Sequence, residues 1–378
     1  MSSTEKSFFE GKREWSRIKD NVLSKYLSAY LPKLNKINKP IILVDSFAGP
    51  GYFEQDKEEG SPLIFRRLAE KFVPEKYLAI FVNNNKKHHN ALSKILEPQI
   101  KQQKIFTIKG DANDLLIQLQ HIIDDQILFI YLDPFGLKGT DFTTLSDYLK
   151  RDLRFSTEIL INLSVDTIIR HSCYKKLKAN GLTPEIERKH AINTKALGGD
   201  YWKQILDEKL TTPLRRAILI KEYVNRIKSF LPYVGYCPVP EGYGKRKLKY
   251  IILFASRHKD ARKLMNNIMF DEYRKFLWKG YSNGTLFEET NYEDNLPDNY
   301  FSALEDDIIT AIRKLVRIKK YRLWEYFLSY KFMYYKSKHF NQKIKDLIKV
   351  GIVNFDPTSS SKKLNDNSIL YLVKNSGK

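Results

Sequence analysis

The residues best suited to chemistry stand at the ends of four apolar segments in the first half of the chain. They form the strings DSFAGPG at 45–51, NNN at 83–85, GDAN at 110–113 and DPFG at 133–136. Carboxylates, amides and glycine backbone can together hold a ligand that carries an ammonium group, hydroxyls and a purine ring. The four strings therefore predict one shared ligand site, provided that the segments before them lie side by side.

The first string places an acid, Asp45, after a buried strand, and Gly49 and Gly51 in the turn that follows. Two glycines at this spacing let the backbone approach a ligand without interference from a β-carbon. With Asp45 for an ammonium group and the Phe47 and Ala48 backbone as donors, the turn fits the headgroup of S-adenosylmethionine (SAM). A tight strand–helix turn without a ligand is the alternative, and the acid with both glycines favours the cofactor.

The next two strings are predicted to hold the nucleoside of that cofactor. Asn83 stands where nucleoside-binding sheets place Asp or Glu for the ribose hydroxyls, and its neutral amide oxygen accepts hydrogen bonds more weakly than a carboxylate. Asp111 is predicted to accept a bond from the adenine amino group, and the Ala112 backbone to pair with the ring. An N-cap role for Asp111 is the alternative.

The fourth string is predicted to hold the methyl acceptor. It resembles the (Asp/Asn)-Pro-Pro-(Tyr/Phe) loop of amino-group methyltransferases, in which two acceptors orient the target amine and the aromatic ring stacks on a flipped base. Asp133, the Pro134 carbonyl and Phe135 would take these roles and position the amine. The second proline of the loop is missing and Phe135 comes one place early. An Asp-Pro turn with a buried Phe is the alternative.

The four strings lie within a predicted alternation of strands and helices. The predicted strands are 40–45, 77–82, 105–109, 127–132 and 158–163, with late strands at 234–239 and 249–255. A helix over 11–31 is predicted to end at Pro32, and another to begin with Ser61 as its N-cap. The pattern indicates an α/β, doubly wound, mostly parallel sheet with late antiparallel strands, a Rossmann-like class I methyltransferase fold. Ligands of such sheets bind at the carboxyl ends of the strands.

The length of the chain favours two domains. Residues 1–279 are predicted to form the SAM-binding domain, with a helical insertion at about 165–231. The turn-rich, acidic stretch 280–300 is the predicted linker. Residues 301–378 are predicted as a basic helical or winged-helix domain, because helical patterns lead into two short strands there.

Positive charge is concentrated outside the first 150 residues. The chain carries a net +21, of which +3 falls in residues 1–150, +9 in 151–300 and +9 in 301–378. A polyanion such as RNA or DNA is the functional interpretation. A lysine-rich solvated surface is the alternative.

Residues 313–349 combine 12 basic with 2 acidic residues, and nine aromatic residues lie between Tyr321 and Phe340. Cations for phosphates beside rings for stacking predict a nucleic-acid surface, and a helix pair with an aromatic core is the alternative. The candidate contacts are Arg317, Lys319, Lys320, Arg322 and Trp324.

Two function classes are not expected. The only cysteines, Cys173 and Cys237, form no CxxC pair, so neither a metal site nor a disulfide framework is predicted. The chain begins without an apolar leader and has no run of 18 apolar residues, so a cytoplasmic protein without a membrane partner is expected.

Taken together, the strings VDSFAGPG, EGSPL, GDAN, YLDPFGL and YIILFASRH resemble the three-Cys-motif partner (TcmP) family over roughly residues 10–275. The resemblance implies a methyltransferase-like fold and a partner protein with a three-cysteine motif. Asn83 does not match the acid expected at its position. The residues that the resemblance carries onto a SAM pocket are Asp45, Gly49, Gly51, Asp111 and Asp133.

The leading hypothesis is a SAM-dependent methyltransferase that acts on a nucleic-acid target, such as a base amino group. The alternative is a catalytically weak or inactive module of the same fold that binds nucleic acid or a three-Cys-motif partner. Asn83 in place of an acid and the missing second proline favour the alternative, whereas Asp45, the two glycines and Asp133 favour the enzyme.

Overall fold

The computed structural model describes residues 12–137, 139, 141–242, 245, 247–282, 296–358 and 361–373. By spatial grouping the chain forms two compact units, one extending to Arg262 and one starting at Lys263. This division lies ahead of the predicted linker at 280–300. A helix continues as far as Ser282, and residues 283–295 of the predicted linker lie outside the described residues.

The first unit is built on seven strands: β1 (Ile41–Asp45), β2 (Tyr77–Asn83), β3 (Ile105–Lys109), β4 (Ile127–Leu132), β5 (Thr157–Leu163), β6 (Tyr233–Pro240) and β7 (Leu248–Ser256). Their order in the sheet is β3-β2-β1-β4-β5-β7-β6. The first five run parallel, and β7 pairs antiparallel with both β5 and β6. This arrangement confirms the predicted Rossmann-like class I methyltransferase fold.

Strands β1, β4 and β5 are buried along their whole length. Most of their residues are Ile, Leu, Val or Phe, because both faces of a parallel sheet are covered. The helices that alternate with the strands are α1 (Glu14–Leu34), α2 (Ser61–Phe72), α3 (Lys86–Ile95), α4 (Glu97–Lys101), α5 (Ala112–Leu119) and α6 (Phe142–Leu149). Between β5 and β6 lie α7 (Val165–Ser172), α8 (Tyr174–Asn180), α9 (Pro184–Leu197), a 3-10 turn (Asp200–Leu206) and α10 (Thr212–Lys228).

Two predicted helix ends were wrong, one by three residues and one by a single residue. Helix α1 does not stop at Pro32 but includes it and ends at Leu34. Pro32 is tolerated because it comes near the end of the helix, where few backbone hydrogen bonds remain to be broken. Helix α2 has Gly60, not Ser61, as its N-cap, which places Pro62 within the first helical turn.

The second unit has the element order helix, helix, strand, helix, helix, strand, strand. These elements are α11 (Lys259–Ser282, mostly within this unit), α12 (Tyr300–Leu315), β8 (Arg317–Lys319), α13 (Lys320–Tyr330), α14 (Ser337–Lys349), β9 (Val353–Asp356) and β10 (Ile369–Leu372). The strands form an antiparallel sheet in the order β8-β10-β9. Aromatic and aliphatic side chains from the helices, including Trp324, Phe327 and Phe340, form its core.

No helix in the described part of the chain is both long enough and apolar enough to cross a membrane. Within the same residues, no group of three or more His, Cys, Asp or Glu side chains is placed to hold a metal ion.

Candidate functional site

The carboxyl ends of the parallel strands β1 to β4 bring all four predicted strings to one edge of the sheet. Asp45 at the end of β1 is level with Phe81 of β2 and Tyr131 of β4. A cleft opens at this edge, with an empty volume of about 410 Å³ that includes its mouth. The predicted site residues that line it are Phe47, Gly49, Gly51, Asp133 and Phe135.

The turn after β1 is fixed by glycine geometry. Gly51 has a φ of +104°, and a β-carbon there would lie only 3.0 Å from the Ile95 side chain. Its carbonyl accepts a hydrogen bond of 2.7 Å from the Gly60 N–H, which closes a short hairpin before α2. The turn therefore needs glycine at position 51 to keep the shape of the cleft wall.

Asp45 lies behind this turn, is completely buried and does not itself line the cleft. Its Oδ1 accepts a hydrogen bond of 3.1 Å from the Phe47 N–H, whereas no described residue forms a hydrogen bond of good geometry with its buried Oδ2, although the Ser61 hydroxyl lies close enough to lower the pKa of the carboxyl group. Burial raises the pKa of Asp45 to about 7, and the Ser61 hydroxyl and the Phe47 N–H offset part of that rise. A buried carboxylate oxygen without a donor costs free energy, and this cost falls when a cationic ligand group supplies the donor.

The side chain of Asn83 is used by the protein itself. Its Nδ2 donates to the Ala48 carbonyl, and its Oδ1 accepts a hydrogen bond of 2.9 Å from the Asn85 N–H. Asn83 is only 5% exposed and does not line the cleft described above. It therefore joins the turn after β1 to the turn after β2, a role that only an amide with both a donor and an acceptor can fill.

Replacing Asn83 with Asp is expected to destabilise the protein by about 1–3 kcal/mol, because a carboxylate oxygen would then face the Ala48 carbonyl with no donor between them. Thermal unfolding of the two proteins measures this loss. Asn84→Asp, one residue along the same turn, is the matched control. An Asn83→Asp protein as stable as wild type would show that the bond to Ala48 contributes nothing.

Asp111 and Ala112 begin helix α5. Asp111 is its N-cap, and its Oδ1 accepts a hydrogen bond of 2.8 Å from the Asn113 N–H. The N-cap role that the sequence left open is thus present, and the adenine role stays a prediction. Asn113 lines a second, smaller cleft on the other side of β4, together with Pro134 and Gly139.

Asp133 forms an ion pair that its own string does not reveal. Its Oδ2 accepts from the Lys19 ammonium group, and its Oδ1 accepts a hydrogen bond of 2.9 Å from Asn162 Nδ2. Burial alone would lower the pKa of Lys19, but the carboxylates of Asp133 and Asp20 outweigh it and the pKa is raised. Lys19 is therefore a cation, and Asp133 is engaged at both oxygens.

Phe135 is 54% exposed and lies on the wall of the cleft. The alternative of a buried Phe in an Asp-Pro turn is therefore wrong. An aromatic ring at the mouth of a cleft suits stacking on a planar group of a substrate.

Helix α1 supplies two charged residues of the site, Lys19 and Asp20, which the sequence analysis missed. Asp20 is 4% exposed and forms an ion pair of 2.9 Å with Lys12. Lys12 Nζ also donates to the Glu59 carbonyl at 2.9 Å, which ties the start of α1 to the hairpin beside the cleft. The only sequence signal for these residues was two charges, Lys19 and Asp20, between the apolar positions of an amphipathic helix.

In the second unit, two of the five candidate nucleic-acid residues are buried. Trp324 is 5% exposed and packs on Phe327 and Phe340, which corrects its predicted role in stacking on bases. Lys320 is 8% exposed and its ammonium group lies 2.6 Å from Asp366. Trp324 therefore belongs to the aromatic core that was the alternative interpretation, and Lys320 is engaged in an ion pair.

The other three candidates in the second unit lie on its surface. Lys319 and Arg322 are exposed. Arg317 is exposed too, but it pairs with Asp356 and covers the Tyr371 ring. The cluster predicted from composition is thus only partly a free surface.

No protein-family profile matches the chain. No curated protein matches it either. Among solved structures, the chain is similar to an O-methyltransferase from Bacillus cereus in complex with SAH, with 13% identity, a TM-score of 0.33, and coverage of 62% of this chain and 80% of that one. It is also similar to spermidine synthase from Thermotoga maritima, with 11% identity, a TM-score of 0.31, and coverage of 68% and 65%. TM-scores this low assign neither a fold nor an activity, so the fold rests on the strand order of the sheet.

Proposed function

We propose that the first unit binds SAM in the cleft at the ends of β1 and β4 and transfers its methyl group to a nucleic-acid target. The observation that carries this proposal is the buried Asp45 carboxyl group behind the glycine turn, whose Oδ2 forms no hydrogen bond of good geometry with any described residue. An ammonium group that reaches this oxygen would supply the missing donor. SAM, when bound, supplies an electrophilic methyl group.

The residues present fit the ammonium group and the adenine of the cofactor better than its ribose. Asp45 would hold the ammonium group, and Gly49 and Gly51 would let the backbone of the turn approach the ligand closely. Asp111 and the Ala112 backbone would hold the adenine. Since both polar atoms of the Asn83 side chain are engaged within the protein, we expect only a weak contact from it to the ribose.

The acceptor end of the cleft would be organised by Asp133. Lys19 and Asn162 fix both oxygens of its carboxylate, so the group is rigid where a target amine would meet it. A carboxylate oxygen has more than one lone pair, and each therefore retains the capacity to accept from an amine. The Pro134 carbonyl would supply a second acceptor, and Phe135 would stack on a base.

The pH dependence of SAM binding tests this assignment. If the ammonium group binds the Asp45 carboxylate, affinity rises with pH as that group ionises around its pKa of about 7. We expect the dissociation constant to fall about eightfold between pH 6 and pH 7.5, by simple proton linkage. Calorimetric titrations at the two pH values measure this change. Equal affinities at both would separate SAM binding from Asp45, and no binding at millimolar SAM would end the enzyme proposal.

A second candidate function is a non-catalytic module that kept the fold and binds nucleic acid or a three-Cys-motif partner. The observation that favours it is the ion pair of Asp133 with Lys19, which gives the carboxylate a structural partner that a target amine would have to share. Under this function SAM is neither bound nor consumed, with or without nucleic acid. A tritiated-SAM transfer assay with mixed RNA and DNA separates the two functions.

A further inference from the structure

The outer face of α14 carries a line of long polar side chains. Lys338, Gln342, Lys345 and Lys349 are exposed and follow one another at spacings of four, three and four residues. Such spacing places them on one side of the helix, over about 16 Å of its length. The opposite side, with Phe340, Ile344 and Leu347, is buried in the core of the unit.

Five cations in β8, α13, α14 and the loop between the two helices form ion pairs with carboxylates of the same unit. Arg317 pairs with Asp356, and Lys320 pairs with Asp366. The remaining three pairs, with their distances, are Lys331–Asp307 at 2.8 Å, Lys336–Asp271 at 2.8 Å and Lys343–Glu305 at 3.0 Å. Lys345 and Lys349 form no ion pair with any described residue. The outer face of α14 therefore carries the charges of Lys345 and Lys349 beside one exposed carboxylate, Asp346, whose Oδ1 accepts a hydrogen bond of 2.9 Å from Gln342 Nε2.

The start of α14 is held by amide side chains of α11. Asn267 Oδ1 accepts a hydrogen bond of 3.0 Å from the Ser337 N–H, and its Nδ2 donates to the Ser337 hydroxyl at 2.7 Å. Asn266 fixes the preceding turn, since its Oδ1 accepts from the Met333 N–H at 2.7 Å and its Nδ2 donates to the Tyr335 carbonyl at 2.9 Å. A helix held this firmly at its start presents its outer face in one orientation.

A second basic element lies between β9 and β10. Lys362 and Lys363 are exposed in the loop that joins these strands. In a helix–turn–helix arrangement the second helix lies in the major groove, and α13 and α14 follow one another in this order before the hairpin of β9 and β10. The unit therefore offers a helix face and a loop, both positively charged.

We propose that the α14 face (Lys338, Gln342, Lys345 and Lys349) docks in the major groove of double-stranded DNA. This inference rests on the proposed function, since it names the nucleic acid that the second unit holds. The B-form major groove, about 12 Å wide, admits a helix, whereas the deep, narrow major groove of duplex RNA does not. The lysines contact phosphates, and Gln342 lies at the level of base edges.

Salt dependence of binding to a 20-base-pair DNA duplex, measured by fluorescence anisotropy without SAM, tests the proposal. Lys338→Gln, Lys345→Gln and Lys349→Gln combined should reduce the log–log salt slope by about 2–3 units, because each phosphate contact contributes about 0.9. Between 50 and 200 mM salt this is a difference of about 40-fold in the affinity lost. Lys345→Gln alone should reduce the slope by about one unit.

The matched control removes three other exposed cations, with Arg313→Gln, Lys314→Gln and Lys279→Gln combined. This control should leave the slope unchanged. A larger effect of the control would place the site on α11 or α12 and overturn the proposal. Equal affinity for duplex RNA or single strands, or no salt-dependent binding at all, would overturn it too. None of these outcomes depends on SAM, so the methyl-transfer proposal stands or falls separately.

Discussion

Replacing Lys12 with Met is expected to destabilise the first unit by about 3–5 kcal/mol, since it leaves the buried carboxylate of Asp20 without its direct partner. Burial already raises the pKa of Asp20 in spite of Lys19 and Lys12. Without Lys12, the carboxylate must either stay charged at a high cost or take up a proton. Thermal unfolding at pH 7.5 measures the loss.

The charge-free double variant, Lys12→Met with Asp20→Leu, is the control. Exchanging a buried ion pair for apolar side chains of similar size is close to neutral or stabilising, so the double variant should recover most of the lost stability. If it is as unstable as Lys12→Met alone, the loss comes from the contact of Lys12 with Glu59 and not from an unpaired carboxylate.

The sheet could be predicted from sequence because each strand is a short apolar run followed by a polar turn. Strands β1, β3 and β4 begin and end within one residue of their predicted bounds. Strand β8 was missed because it has only three residues, two of them exposed cations. Its pairing with β10 joins positions about 50 residues apart, and no local pattern indicates it.

The candidate site could be predicted only where its residues follow strands. Asp45 and Asp133 were found because the carboxyl ends of parallel strands share one edge. Lys19 was not found because its partner, Asp133, is 114 residues away and a lysine on an amphipathic helix usually faces water. Trp324 was misplaced for a similar reason, since composition counts aromatic residues without showing which side of a helix they occupy.

Asp45→Asn is expected to change apo stability and SAM affinity in opposite directions. At pH 8 wild-type Asp45 is ionised at a cost of about 4 kcal/mol, given its rise in pKa from 3.8 to about 7. Asn removes that cost. It also buries an amide nitrogen without an acceptor, which lowers the free energy of unfolding by about 1–3 kcal/mol. The variant should therefore be more stable than wild type by about 1–3 kcal/mol at pH 8.

Comparing the stability of Asp45→Asn and wild type at lower pH checks whether ionisation of Asp45 causes the difference between them. The ionisation cost of a carboxyl group with a raised pKa is absent below its unfolded value and complete above its folded value. At pH 4.5 the cost in wild type is only about 1 kcal/mol, so the advantage of the variant should shrink by about 3 kcal/mol. A variant less stable than wild type at both pH values would show that Asp45 carries no such cost.

The central claim is that Asp45 holds the ammonium group of SAM, and a calorimetric titration of SAM into wild type and Asp45→Asn at pH 7.5 tests it most directly. Loss of a charge-assisted hydrogen bond weakens binding by about 1.5–3 kcal/mol, or roughly 10- to 150-fold. We expect wild type to bind SAM and the variant to bind it at least tenfold more weakly, while unfolding at or above the wild-type temperature. Equal affinity for SAM in a folded variant, or no binding to wild type, would contradict the claim.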